Sequence, residues 1–133
     1  SHLKAVVDRL IPLCKLTMRD ENGRISHEML FDLSKKKHIV FSGSGFPGWE
    51  GNFEGLRIQM INNFGHPLMV FVPETPLLNI PEAAPAAEPL LEKFRLAGEE
   101  FALTNTLSDE TVRALETPMI PKEIYLAKTN SSM

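Results

Sequence analysis

Gly43-Ser44-Gly45-Phe46-Pro47-Gly48-Trp49-Glu50-Gly51-Asn52-Phe53-Glu54-Gly55, followed by Leu56-Arg57-Ile58-Gln59-Met60-Ile61, is the stretch on which the fold turns. Its first thirteen residues hold five glycines and three aromatics. Glycine admits positive φ and lets other groups come close to the backbone, so a loop of special geometry is expected here. The element that follows decides what the loop can do. A phosphate cradle needs the loop to pass from a strand straight into a helix N-terminus. Leu56–Ile61 alternates apolar and polar residues until its last position, a period of two that predicts a half-buried strand. Between two strands the loop reads as a long hairpin connection. It also lacks the Lys-Ser/Thr ending of a P-loop and the glycine spacing of a dinucleotide fingerprint, so nucleotide binding of those kinds is not expected.

Working outward, His38–Ser42 is rich in β-formers and predicts a short strand before the loop. Asn62–His66 reads as a hairpin connection, and Pro67–Pro73 as a more fully buried returning strand. These three strands would form the antiparallel centre of a sheet, without parallel βαβ units. Upstream, Leu3, Val6, Leu10 and Leu13 recur at helical spacing and predict a helix over Leu3–Met18, kinked at Pro12. Gly23 would end it after a charged turn. Ser26 would cap a second helix over His27–Lys36, with Met29, Leu30 and Leu33 as its apolar stripe.

Downstream, Glu74–Pro89 contains four prolines and predicts an extended, partly polyproline crossover. Leu90, Phe94, Ala97 and Phe101 mark a helix over Ala86–Leu103, with Pro89 in its first turn. Ser108 followed by Asp109 and Glu110 predicts a capped short helix over Asp109–Glu116. Glu123–Lys128 reads as an edge strand and residues 129–133 as a frayed, disordered tail. The expected order is α-α-β-β-β-α-α-β. That is a single α+β domain over residues 3–128, with a small antiparallel sheet of three to four strands covered by about four helices.

Composition narrows the functional classes. At 133 residues with 43% apolar and 23% charged content, the chain has ordinary globular values and room for one core. No apolar run approaches the ~20 residues that span a bilayer. Nothing reads as an export leader, and a single cysteine, Cys14, fits a reducing compartment, so a cytoplasmic location is expected. Cys14 itself reads as a small hydrophobe on a helix face. The net charge of −3 is uneven: residues 1–66 hold nine Lys/Arg against seven Asp/Glu, and residues 67–133 five against ten. An acidic second half argues against wrapping by nucleic acid and leaves room for a local basic patch in the first.

Three groups of residues are candidate sites. Phe46, Trp49 and Phe53 in the glycine-rich loop are the candidate partner-binding anchors, since Trp is enriched at binding hot spots. His38, Glu50 and His66 are the candidate polar groups of a ligand pocket between the loop and helix 86–103. Lys35, Lys36 and Lys37 form the candidate basic patch, which in outline resembles the second helix of a winged-helix arrangement. Against that outline, Glu28 and Asp32 would repel a phosphate backbone. Pro73-x-x-Pro76 in the segment Val72–Pro89 offers a further contact surface. No metal, cofactor or catalytic constellation is expected from the spacing of His, Cys, Asp and Glu.

The leading expectation is therefore a non-enzymatic protein-interaction or regulatory domain, with membership of a longer protein left open, that contacts another protein through loop 43–55. A small-molecule-binding or catalytic domain is the alternative, and winged-helix-like nucleic-acid binding stands third.

Overall fold

The computed structural model describes residues 2–30, 32 and 36–131. Contacts group into two compact units, residues 1–37 and 38–133. Helix and strand are both present, as expected, but the strands form two two-stranded sheets rather than one sheet of three or four.

The first unit opens with α1 (His2–Asp8), and a 3-10 turn over Ile11–Leu13 leads into β1 (Cys14–Glu21), which pairs antiparallel with β2 (Arg24–Met29). The expected helix 3–18 thus stops at Asp8, and the second expected helix is a strand over residues 24–29, its positions 31 and 33–35 lying outside the described residues. The reason is Asn22-Gly23, the strongest short-range signal for a two-residue hairpin. Both residues take positive φ, 57° and 82°, between the paired Glu21 and Arg24. Gly23 N–H donates to Asp20 Oδ1 at 2.8 Å. Lys15 and Arg19 both pair with Glu28, so Lys15 Nζ lies 2.9 Å from Glu28 Oε2 on the polar face. Leu16, Met18 and Ile25 are exposed. Cys14 sits at the start of β1 rather than on a helix, half-buried, with Sγ 3.6 Å from Met29 Sδ.

The second unit is built on β3 (Ile39–Gly43), α2 (Glu54–Phe64) and β4 (Leu68–Val72). β3 and β4 run parallel, with Ile39 opposite Leu68 and Gly43 opposite Val72. This overturns the antiparallel reading: the segment expected as a strand over Leu56–Ile61 is a helix, and the three elements make a βαβ unit. A six-residue window fits both periods, whereas Phe53, Leu56, Met60 and Phe64 carry the helical spacing across eleven residues and beyond. Phe53 and Met60 are buried.

The expected extended crossover instead winds into 3-10 turns over Thr75–Asn79 and Pro81–Ala83, with Pro76 and Pro81 in their first positions. α3 (Ala84–Thr104) follows, with Pro85 in its first turn and Asn105 closing it in the left-handed conformation. α4 (Asp109–Leu115) begins where expected: Thr111 N–H donates to Ser108 Oγ at 3.2 Å. The last element, α5 (Lys122–Ser131), is a helix and not an edge strand, and it extends into the segment expected to fray.

Val70, Val72, Leu90, Ala97, Leu107 and Leu115 form the core, where α3 and α4 cover one face of β4. Phe71 points to the opposite face and stacks on Phe53 at the head of α2, at 5.0 Å between ring centroids. Covering both faces is what a parallel pair requires. The cover is incomplete over β3, where Ile39 and Phe41 remain exposed and no strand pairs with its outer edge among the described residues.

Candidate functional site at the carboxyl ends of the parallel strands

Gly43 ends β3, and the glycine-rich loop leaves it at the carboxyl edge of the sheet. Its first residues are stitched to the chain emerging from β4. Ser44 N–H donates to Val72 O at 2.9 Å, Thr75 N–H to Ser44 O at 3.0 Å, and Glu74 N–H to Phe46 O at 3.2 Å. The approach at Gly43 leaves no space for a side chain, since a Cβ there would lie 2.5 Å from Thr75 Cγ2. Gly48 and Gly51 take φ of 93° and 76°, conformations an L side chain rarely adopts.

The loop delivers the chain to the start of α2, which is the connectivity a ligand cradle uses and the one the alternating pattern had hidden. That helix start is already occupied by its own acid. Gly51 N–H donates to Glu54 Oε1 at 2.8 Å, and this bond, aided by the N–H groups of Glu54 and Phe53, holds the Glu54 carboxyl below its ordinary value. With a carboxylate in that position and no Lys or Arg among residues 43–55, a phosphate is poorly served at the head of α2.

The three candidate aromatics separate. Phe53 is buried, and Trp49 is half-buried at 6.2 Å from Phe53 and 6.1 Å from Phe71 between ring centroids. Phe46 alone stands out into solvent, 67% exposed. Trp49 Nε1 is buried without an acceptor in hydrogen-bond geometry. Its indole nonetheless favours the charged form of Glu116, as do Phe71 N–H, which donates to Glu116 Oε1 at 3.1 Å, and Arg57. Burial outweighs all three and raises the Glu116 carboxyl above its ordinary value.

Sequence reasoning missed Glu74. It is fully buried, it carries a left-handed φ of 59°, and its Oε2 accepts from Met119 N at 2.7 Å and Ile120 N at 3.1 Å. Its Oε1 is buried without a partner among the described residues. Only the position of a lone acid directly after a buried strand and a proline marked it. Tyr125 of α5, also unread as a site residue, donates its phenolic hydroxyl to Gly45 O. Beside the Glu74 attachment lies an open cavity of about 380 Å³, lined by Pro47 and Gly48 of the loop and by the run Pro118–Lys122.

His38, Glu50 and His66 do not converge. His38 and His66 precede β3 and β4 at their amino ends, where Leu68 N–H donates to His38 O at 2.9 Å. The His38 ring stacks on Phe64 at 4.7 Å. Glu50 lies in the loop that leaves the carboxyl end of β3, at the other end of the strands from both histidines. Helix 86–103 does not face the loop across the cavity just described, whose far wall is the connector before α5. Lys36 and Lys37 are exposed outside any helix, and Lys35 lies outside the described residues. The helix that a winged-helix outline needs is β2. Among the described residues no group of three or more His, Cys, Asp or Glu is arranged to hold a metal, and no helix is long and apolar enough to cross a membrane.

Comparison with protein-family models, with curated proteins and with solved structures returned no match.

Proposed function

We propose that this chain is a small-molecule-binding α/β module whose ligand lies outside the carboxyl ends of β3 and β4, against loop residues 44–48. The observation that carries the reading is the passage of the glycine-rich segment from the end of a parallel strand into α2. Open parallel sheets bind ligands in the crevice beyond the carboxyl ends of their strands. The chemistry around the loop favours a ring-bearing, largely uncharged group. Glu54 repels an anion at the head of α2, the loop supplies backbone groups and the exposed ring of Phe46, and one cation, Lys122, borders the cavity.

The test is a thermal melt of the purified protein against nucleosides, flavins, nicotinamides and other ring-bearing metabolites, repeated with Phe46→Ala. A ligand at 100 times its dissociation constant adds about 2.7 kcal/mol of stability. A shift with one ring class that Phe46→Ala weakens supports the reading, and the absence of any shift overturns it.

Exposure of Phe46 also favours a second reading, contact of loop 43–55 with another protein. Phe46 is then the anchor, because Trp49 and Phe53 are engaged by Phe71.

A further inference from the structure

Every residue of α5 is exposed except Tyr125, which is half-buried. Ile124 and Leu126, its other large apolar residues, stay 47% and 44% exposed. The helix is attached at two places of different character. At its root, Met119 N and Ile120 N are bound by the buried Glu74 carboxylate. Ile124 and Tyr125 then donate to Pro121 O, both at 3.0 Å, and close the first turn beyond that anchor. In its body, the Tyr125 hydroxyl reaches Gly45 O, 80 residues earlier in the chain. The buried attachment is costly to break, because it would strand a carboxylate and two backbone donors. The outer one is a hydrogen bond at the surface, which water can replace at little cost.

We infer that α5 is a hinged strap over the glycine-rich loop, with Glu74 fixing the hinge at 119–120 and Tyr125 as the latch on Gly45. The cavity lined by Pro47, Gly48 and Pro118–Lys122 includes the hinge residues Met119 and Ile120 and the loop beside Gly45, so release of Tyr125 would widen it. The strap rests on the proposed ligand site only for its purpose, which is to govern access to that cavity. Its opening is a property of the free protein.

Backbone hydrogen exchange on the full, ligand-free chain tests it, comparing wild type with Tyr125→Phe and with Leu126→Ala. Tyr125→Phe keeps the ring and removes the latch. The amides of Ser44, Gly45, Phe46 and Gly48 are expected to exchange about five-fold faster, as for loss of one surface hydrogen bond, while β4 keeps its protection. Leu126→Ala, one residue away and exposed, is expected to leave 44–48 unchanged. Unaltered exchange at 44–48 in Tyr125→Phe overturns the latch. So does acceleration that spreads equally through β4, or that Leu126→Ala reproduces. A ligand screen without any shift would overturn the proposed function and leave these readings intact, so the two failures are distinct.

Discussion

Glu74 Oε2 lies 2.7 Å from Met119 N, a residue 45 positions later in the chain. The same oxygen accepts from Ile120 N at 3.1 Å, and Glu74 is fully buried with a left-handed backbone. One carboxyl group thus ties the turn after β4 to the connector before α5. Glu74→Ala removes the acceptor and is expected to cost roughly 2–4 kcal/mol of stability. Glu74→Gln retains an oxygen at that position and is expected to cost less. Urea unfolding of the two variants checks this, and equal losses would show that the acceptor is not what matters.

Gly43 and Thr75 make a second, steric pair. A Cβ on Gly43 would sit 2.5 Å from Thr75 Cγ2 and 2.7 Å from its Oγ1. Gly43→Ala is expected to lose about 1–3 kcal/mol, as overpacking does. Thr75→Ala in the same chain removes both obstructing atoms. The double variant should then be more stable than the sum of the singles by at least about 0.5 kcal/mol. Strict additivity in the cycle would place the strain elsewhere.

The loop aromatics have opposite duties. Trp49→Ala opens the cluster with Phe53 and Phe71 and is expected to destabilise by about 2–3 kcal/mol, below the range for fully buried aromatics because Trp49 is half-buried. Phe46→Ala is expected to change stability by no more than about 0.5 kcal/mol, as for an exposed surface position. Chemical denaturation reads both, and a Phe46→Ala loss as large as that of Trp49→Ala would assign Phe46 to the core.

Acid stability carries contributions of opposite sign. Burial raises the Glu116 carboxyl above 4.5, so the folded chain holds its proton to a higher pH than the unfolded chain does. Its contribution is present below 4.5 and is lost as pH rises through the folded value. Glu100 is lowered, first by Thr111 and then by Ser108 N–H, so its contribution is present above 4.5 and is lost as pH falls through the folded value. Glu116→Gln is thus expected to gain stability over wild type at pH 7 and to lose that advantage towards pH 4.5. Glu100→Gln should lose stability at pH 7, with the deficit closing in acid. Denaturant midpoints from about pH 3 to 7 check both slopes, and parallel curves for wild type and variants would refute the assignments.

How far the residues announce this fold varies by element. β3, β4, α3 and α4 are legible because each signal is local and unopposed: β-formers next to turn residues, a stripe at helical spacing, and a serine whose hydroxyl meets the helix it begins. α2 is not legible from Leu56–Ile61, because fewer than two turns of helix are too short for the 3.6-residue period to stand out against an alternation. The deciding residues, Phe53 and Phe64, lie outside that window. α5 misleads for another reason. In Glu123–Lys128 the pair Ile124-Tyr125 suggests a strand, but Glu123, Leu126, Ala127 and Lys128 are helix formers and Pro121 precedes them as a helix-start signal. In β1 and β2 apolar spacing predicts a helix on either side of Asn22-Gly23, with Gly23 as a helix end, whereas the paired positive φ values there belong to a hairpin. The candidate site was legible as a loop of unusual composition. Its partners Glu74 and Tyr125 were not, because a long-range hydrogen bond leaves no periodic trace in a sequence.

The outer edge of β3 carries a practical consequence for handling the protein. Among the described residues β3 has one unpaired edge, which with apolar side chains at Ile39 and Phe41 is a template for other strands, and nothing in His38–Gly43 supplies the proline, bulge or inward charge that blunts such edges. A net charge of −3 adds little mutual repulsion. Concentrated stocks will therefore be lost first through this strand, as pairing between molecules rather than as unfolding. A lysine at position 41, at the rim of the apolar groove beside Phe94, is the substitution that protects them.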